Sequence, residues 1–253
     1  MISIDQEYLD KYANSSYLET HTGRKFWVAR PRLEDITVLD IAHALALKCR
    51  YNGHCRSFYS VAEHSTTLAL YARHIGLPAS TQLQLLMHDG NEAYLPDVPR
   101  PIKHFFPDLI LMEKAIDALI REFCHLPDEL PEEVHQFDSR ILHDEKVQVM
   151  LPSGNKWICE DLQPLGVILN GHKPAEAESR FLQAFQVMAR EYLSRPVLTS
   201  YVAGEFARGS SDKVGYVGPD IQLIDVLGSC ALAKDEYGLP YYIHGDFKLF
   251  VPS

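Results

Sequence analysis

Apolar residues recur at helical spacing from Glu34 to Leu193, interrupted wherever Gly and Pro gather. Ile36, Leu39, Ile41, Ala42, Leu45 and Ala46 mark a first helix from Glu34 to Cys49, with Asp35 and Asp40 near its start, where carboxylates suit the positive helix end. Arg50 to Phe58 carries the Asn52-Gly53 turn signal and reads as a loop. Ser60 opens a second helix: Ser60 with Glu63 matches a capping box, and Val61, Ala62, Leu68, Ala69 and Ala72 supply an apolar face up to the stop at Gly76-Leu77-Pro78. A third helix is expected from Ser80 to Ala93, ended by Pro96, Pro99 and Pro101. Three more follow, Asp108 to His125, Glu132 to Met150 and Ala175 to Leu193. Upstream of them all, YLETHTGRKFWVARPRL predicts a small hairpin turning at Thr22-Gly23-Arg24.

From Pro196 the pattern changes to Gly and Pro with short β-branched or aromatic runs, YVAGEF, IQLIDVLG and YYIHGDFKLFV. These predict a small β-containing extension. The expected architecture is therefore all-α: a domain over residues 1–195 with a helical core at about 34–150, and an extension over 196–253 to which the sequence assigns no role.

Composition narrows the function classes. The chain has 253 residues, 46% of them hydrophobic and 23% charged, as in a soluble globular protein. It lacks an apolar run of about 18 residues, and MISIDQEYLDKYANSS lacks the basic start and apolar middle of a signal peptide, so a cytoplasmic location without membrane contact is expected. Five cysteines without a CxxC pair read as reduced thiols. A net charge of −10 without any Lys/Arg cluster argues against general nucleic-acid binding and leaves room for a small anionic substrate held by a local clamp. Twelve histidines invite a metal or phosphate hypothesis that position has to decide.

Position favours the stretch around His88. On the expected third helix, His88 and Asp89 stand about 100° apart around the axis, and Glu92 follows one turn on. Imidazole and carboxylate suit a borderline divalent ion such as Zn, Mn, Fe or Co, and the absence of nearby Cys favours an open site over a closed structural zinc site. An HD dipeptide alone better suits a solvated polar pair. Here Leu85, Leu86 and Met87 lead directly into it, which turns at least one member inward, where an unpaired charge would be costly. His64 sits in the same situation among Val61, Ala62 and Leu68, although a lone helical His is more often a satisfied core residue.

The ordered set His64, His88-Asp89 and Asp138 resembles the H…HD…D metal signature of the HD-domain phosphohydrolase superfamily. The strings DIAHALALKCRYNGHCRSFYSVAEHS and MHDGNEAYLPDVPRPIK are similar to its 5′-deoxynucleotidase-like branch, in particular to phage and prophage enzymes of the dATP triphosphohydrolase type, and the likeness spans about residues 17–193. The resemblance implies an HD helical bundle and a homo-oligomer. It also implies one divalent ion per site (Zn, Mn, Co or Fe) held by His64, His88, Asp89 and Asp138, with a second ion such as Mg accompanying substrate. It assigns Arg50 and Lys103 to phosphate, and Glu92 and Asp97 to acid/base and water-orienting positions; Tyr51 stands where related enzymes often have an aromatic residue near the deoxyribose and equally suits a core aromatic, and His54, in the same loop, either touches base or phosphate or is simply exposed by the Asn52-Gly53 turn. Chemistry agrees independently: Arg offers a fork matched to phosphate oxygens, Lys a compact charge, and a carboxylate near the ligands can take a proton. Glu145 is either an acceptor behind the ligands or a helix-surface partner of Lys146.

The expected activity is hydrolysis of 5′-(deoxy)nucleotides, with metal-activated water attacking the phosphorus of a dNMP or dNTP. The alternative is a non-catalytic nucleotide-sensing or partner-binding HD protein, against which the presence of Glu92 and Asp97 speaks. Two departures stand out: Gly90-Asn91 follows the HD pair where small or helix-favouring residues such as Ala and Thr are expected, and the chain after Pro196 is longer than in compact relatives.

Overall fold

The computed structural model describes residues 16–193 and three strands at 222–227, 230–234 and 240–244. The first element is the expected hairpin: β1 (Leu18–Glu19) pairs antiparallel with β2 (Lys25–Phe26), and Gly23 supplies the left-handed turn residue at φ +77°. It is pinned at two points. Thr22 donates its backbone N–H and its hydroxyl to the Asp40 carboxylate at 2.8 and 2.9 Å, and the fully buried Phe26 stacks on Tyr94 at 3.9 Å between ring centroids.

Asp40 belongs to α1 (Val38–Leu47), whose start is set by the Thr37 side chain accepting from the Asp40 N–H at 3.1 Å. The residues before it, Leu33–Asp35, form a separate 3-10 turn and Ile36 is extended, so the helix starts later than the apolar spacing predicts. α2 (Val61–His74) begins at Ser60, whose Oγ accepts from the Glu63 N–H at 3.0 Å. The reciprocal half of the expected capping box is not made. The Glu63 carboxylate instead accepts the N–H groups of Asn170, Gly171 and His172 at 2.8, 2.9 and 2.7 Å, fastening a distant loop that has no ladder partner of its own.

α3 (Ala79–Met87) folds back along α2 through Gly76, at φ +81°. It ends at Met87, not at Ala93 as the apolar spacing suggested: Asp89 has left the helix at φ −98°, ψ 14°, and Gly90–Ala93 form a 3-10 turn packed against α1. Two physical reasons account for the early stop. Gly90 and Asn91 are poor helix formers. The turn also presses so close to a later helix that a Cβ on Gly90 would lie 3.0 Å from Ile120 Cδ1.

After a one-turn helix α4 (Arg100–Lys103) come α5 (Pro107–Phe123), α6 (Glu132–Val149) and α7 (Pro174–Leu193), close to the expected spans. The core they enclose includes Ile41, Leu45, Leu68, Leu83, Leu85, Leu86, Ile116, Ile141 and Phe181, all without exposed surface. Each such side chain contributes roughly 1.5–3 kcal/mol through removal from water. This is the all-α core that the periodicity predicted.

Residues 193–253 cluster as a separate compact unit. Its described part is an antiparallel three-stranded sheet in the order β3 (Gln222–Leu227), β4 (Cys230–Lys234), β5 (Pro240–His244), with a register shift between Leu223 and Asp225. The YVAGEF run and the residues after His244 lie outside the described residues. No described helix is long and apolar enough to cross a membrane.

Candidate metal centre

Three elements deliver the four residues of the H…HD…D set to one point. His64 lies one turn into α2 and is completely buried, because the stripe that carries it also carries Val61 and Leu68 into the core. His88 caps the C-terminus of α3, Asp89 follows it out of the helix, and Asp138 projects from α6. His64 Nε2 stands 3.4 Å from His88 Nε2, 3.7 Å from Asp89 Oδ2 and 3.4 Å from Asp138 Oδ1; His88 Nε2 stands 3.3 Å from Asp89 Oδ2 and 3.8 Å from Asp138 Oδ1. Ligand atoms arranged tetrahedrally around an ion at about 2.0–2.2 Å stand about 3.3–3.6 Å apart; three of these five separations fall in that range and the other two lie just above it, at 3.7 and 3.8 Å. The ligand atoms of His64, His88 and Asp138 all lie within 4.8 Å of one another, close enough to hold a metal ion.

The second ring nitrogens fix the chemistry. His64 Nδ1 lies 2.7 Å from Glu145 Oε1, and His88 Nδ1 lies 2.7 Å from the Leu85 carbonyl oxygen. Carboxylate and carbonyl oxygens only accept, so both Nδ1 atoms carry hydrogen and both Nε2 atoms present lone pairs to each other and to two carboxylates. Such an arrangement favours a positive charge between its members. In its absence a proton takes the place: burial opposes the imidazolium, yet Asp89 and Asp138 outweigh it and push His88 up to about 9, while the two imidazoles hold the Asp138 carboxyl well below its usual range despite its own burial.

Glu145 stands behind the ligands and connects them to the loop that follows α1. Fully buried, it accepts from His64 Nδ1 and the Tyr59 hydroxyl (3.0 Å) on Oε1, and from Arg50 Nη2 (3.2 Å) and the Tyr51 hydroxyl on Oε2. Burial favours its neutral form, but Arg50 and His64 prevail and bring it down to about 2. Of its two expected roles Glu145 takes that of an acceptor behind the cluster, through His64, and Lys146 pairs with Glu160 instead. The loop itself is conformationally costly. Tyr51, Asn52 and Gly53 are all left-handed, at φ 56°, 51° and 76°, and for the two non-glycine residues this costs on the order of 1–2 kcal/mol each. Glu145 and Trp157, whose ring lies 5.5 Å from that of Tyr51, hold Tyr51 in place.

Beside the ligands lies a second group of polar residues. Arg50 reaches Asp89 (3.5 Å) with Nη1, and its Nε is buried without a hydrogen-bond partner among the described residues. Glu92 comes from the 3-10 turn, and its Oε2 is likewise buried and unpartnered. Burial first, then the charges of Asp89 and Asp97, push the Glu92 carboxyl well above its usual range, against the opposing pull of Arg50 and Lys48. Asp97 is raised for the same first reason. Lys103 pairs with Glu113 at 2.9 Å and also feels Glu92 and Asp89. His54 is exposed, and its ring makes no hydrogen bond or ion pair among the described residues; only its backbone N–H is tied, to Tyr51 O at 3.0 Å.

Lys48 went unmarked in the sequence. It caps α1, and its ammonium donates to the carbonyls of Glu92 and Leu95, which fixes the turn that presents Glu92. A basic residue at a helix end was the only available signal. The sequence also placed His88, Asp89 and Glu92 on one continuous helix; they converge instead because the helix breaks between them.

A mostly helical unit carrying a buried His-His-Asp cluster of metal-ligand type is the class that fold and site define. No protein-family model matches the chain. The chain belongs to the family of the uncharacterized protein YfdR of Escherichia coli K12, with which it is 33% identical over 172 residues, 67% of this chain and 94% of that one. It is also 40% identical over 86 residues to an uncharacterized protein of Rhodobacter capsulatus, covering 32% of this chain and 44% of that protein.

Proposed function

We propose that this protein is an HD-domain phosphohydrolase that cleaves 5′-deoxynucleotides with the help of a divalent metal ion. The observation that carries the reading is the facing pair of Nε2 atoms on His64 and His88, each with its Nδ1 committed to an acceptor, closed by Asp89 and Asp138. Neighbouring residues supply phosphate chemistry, which distinguishes the site from a purely structural one. An ion held by the four ligands would supply Lewis acidity to a phosphoryl oxygen and to an attacking water.

The remaining steps belong to the chain. Arg50, with an unpartnered Nε beside Asp89, binds the phosphate, and Lys103 adds a compact charge to it. Glu92, whose buried Oε2 has no partner, exchanges a proton with the water or with the leaving oxygen, and Asp97 orients the water. Tyr51 stands next to Arg50 with its guanidinium 5.4 Å from the ring centroid, so the aromatic that borders the sugar moves with the residue that binds the phosphate. A new bond forms between water oxygen and the α-phosphorus. The bond to the 5′-oxygen of a dNMP breaks to release phosphate, or that of a dNTP to release tripolyphosphate.

Incubating metal-loaded protein (Mn, Co or Zn in turn) with all dNMPs and dNTPs, and resolving phosphate from tripolyphosphate, tests this reading. Turnover of one panel is expected. Absence of turnover on both, with the metal bound, would leave a nucleotide-binding protein without catalysis.

A further inference from the structure

A second His-His-carboxylate group lies outside the site described above. His21 on the hairpin turn, His43 on α1 and Glu178 on α7 each offer one ligand atom, and these atoms lie within 4.8 Å of one another. His43 Nδ1 is 3.1 Å from Glu178 Oε2, and the His21 and His43 rings lie 3.6 Å apart between centroids. The geometry points to a second, structural metal site, in which a borderline divalent ion such as Zn clamps the hairpin, α1 and α7 together.

Several observations support a built site over a chance meeting of surface side chains. The three residues are 22 and 135 positions apart along the chain (43 − 21 and 178 − 43), so only the fold brings them together. The backbone under His21 is fixed, because its neighbour Thr22 is held by two hydrogen bonds to Asp40, which lies one turn before His43 on the same helix. Glu178 is only 24% exposed and His43 28%, so two of the three groups are partly withdrawn from water before any ion arrives. His43 Nδ1 and Glu178 Oε2 are hydrogen-bonded at 3.1 Å, and an outward shift of about 0.2–0.5 Å brings them to the separation of about 3.3–3.6 Å that neighbouring ligands occupy around a tetrahedral ion.

The donor set also selects the class of ion. Two imidazoles and one carboxylate suit Zn, Co or Ni over Mg or Ca, which take oxygen shells. The two rings are nearly parallel, at 13°, and a ligand nitrogen binds in the plane of its ring, so one ring turns when the ion enters. His21 is that ring, since it is the exposed member and stands on a turn, whereas His43 is held within α1. Among the described residues, neither an arginine nor a second acid makes a hydrogen bond, ion pair or ring contact with these three, which suits a tethering role for the ion.

Metal counting on the untagged full chain, stripped and then gel-filtered at micromolar free Zn, tests the proposal. Glu178→Gln and His21→Asn are each expected to bind one equivalent fewer than the wild type. His64→Asn removes a different equivalent, so failure of the candidate metal centre registers as His64→Asn equal to wild type and leaves this comparison intact. Wild-type stoichiometry in both Glu178→Gln and His21→Asn overturns the proposal. A cobalt-loaded His64→Asn chain whose visible absorption persists after Glu178→Gln is added overturns it as well.

Discussion

Two groups of two histidines and a carboxylate are built into one helical unit, and they are held in opposite ways. Around His64 and His88 every ring has its second nitrogen tied to an acceptor, Glu145 or the Leu85 carbonyl, so the two Nε2 atoms are aimed at the cluster in advance. Around His21 and His43 the backbone is pinned through Thr22 and Asp40, but the rings rest on each other. The first cluster adjoins two buried polar atoms without partners, on Arg50 and Glu92, and the second adjoins none of the described ones. Preorganised rings beside unsatisfied polar groups suit chemistry on a bound anion, whereas stacked rings on a pinned backbone suit a tether.

The largest effect that would sharpen this contrast is on proton transfer. Glu92→Gln is expected to lower kcat by about 10²–10⁴-fold with metal content unchanged, as read by steady-state kinetics and metal counting together. A loss of metal in this variant would instead make Glu92 a ligand. Because burial and its acidic neighbours raise this carboxyl, the rate limb that reports it should lie above the ordinary carboxylate range, and Asp97→Asn, by removing one raising charge, should move that limb toward lower pH.

Next in size is competition between proton and metal. With His88 pushed up to about 9 in the metal-free cluster, binding an ion displaces a proton at any lower pH, so apparent affinity should rise about tenfold per pH unit from pH 7 up to that value. The same raised pKa stabilises the metal-free fold below the ordinary histidine range, and that stability is lost as pH rises through about 9. Isothermal titration across this window checks the first statement, and metal-free denaturation checks the second.

Glu145→Gln comes third, at about 10–100-fold in metal affinity, because a carboxamide cannot accept from four donors as the carboxylate does. Its substrate KM should rise too, since the same carboxylate holds Arg50 and Tyr51. The smallest effect is Asp117→Asn. Burial pushes Asp117 up to about 6, against its hydrogen bond from Asn91 and the charge of Arg121. The penalty on the folded state therefore grows as pH rises from the ordinary carboxylate range to about 6 and is complete above it, so the variant, less what it loses in the Asn91 hydrogen bond, should gain about 1–2 kcal/mol at pH 8 and almost nothing at pH 3 in urea denaturation.

Much of this was legible in the residues. Helix positions followed from apolar spacing, and His64, His88, Asp89 and Asp138, grouped from the sequence, lie close together in the fold. What periodicity could not deliver were the places where tertiary packing overrides it. Gly90 lets the turn approach Ile120, and this breaks the helix in the middle of the expected constellation. Glu63 looked like half of a capping box and instead anchors residues 170–172, a contact 107 residues away in sequence. Glu145 looked no different from any carboxylate next to a lysine, although its position seven residues after Asp138 put both on the same face of α6. The His21 and His43 pairing depends on a hairpin docking onto a helix, for which no spacing rule exists.

The central claim is that the His64 cluster binds a metal ion that deoxynucleotide hydrolysis requires. Its most direct test is a side-by-side measurement on wild type and Asp138→Asn: bound metal, and release of phosphate or tripolyphosphate from dNMPs and dNTPs. One equivalent fewer together with loss of turnover is the predicted result. A variant that keeps both its metal and its turnover would contradict the account.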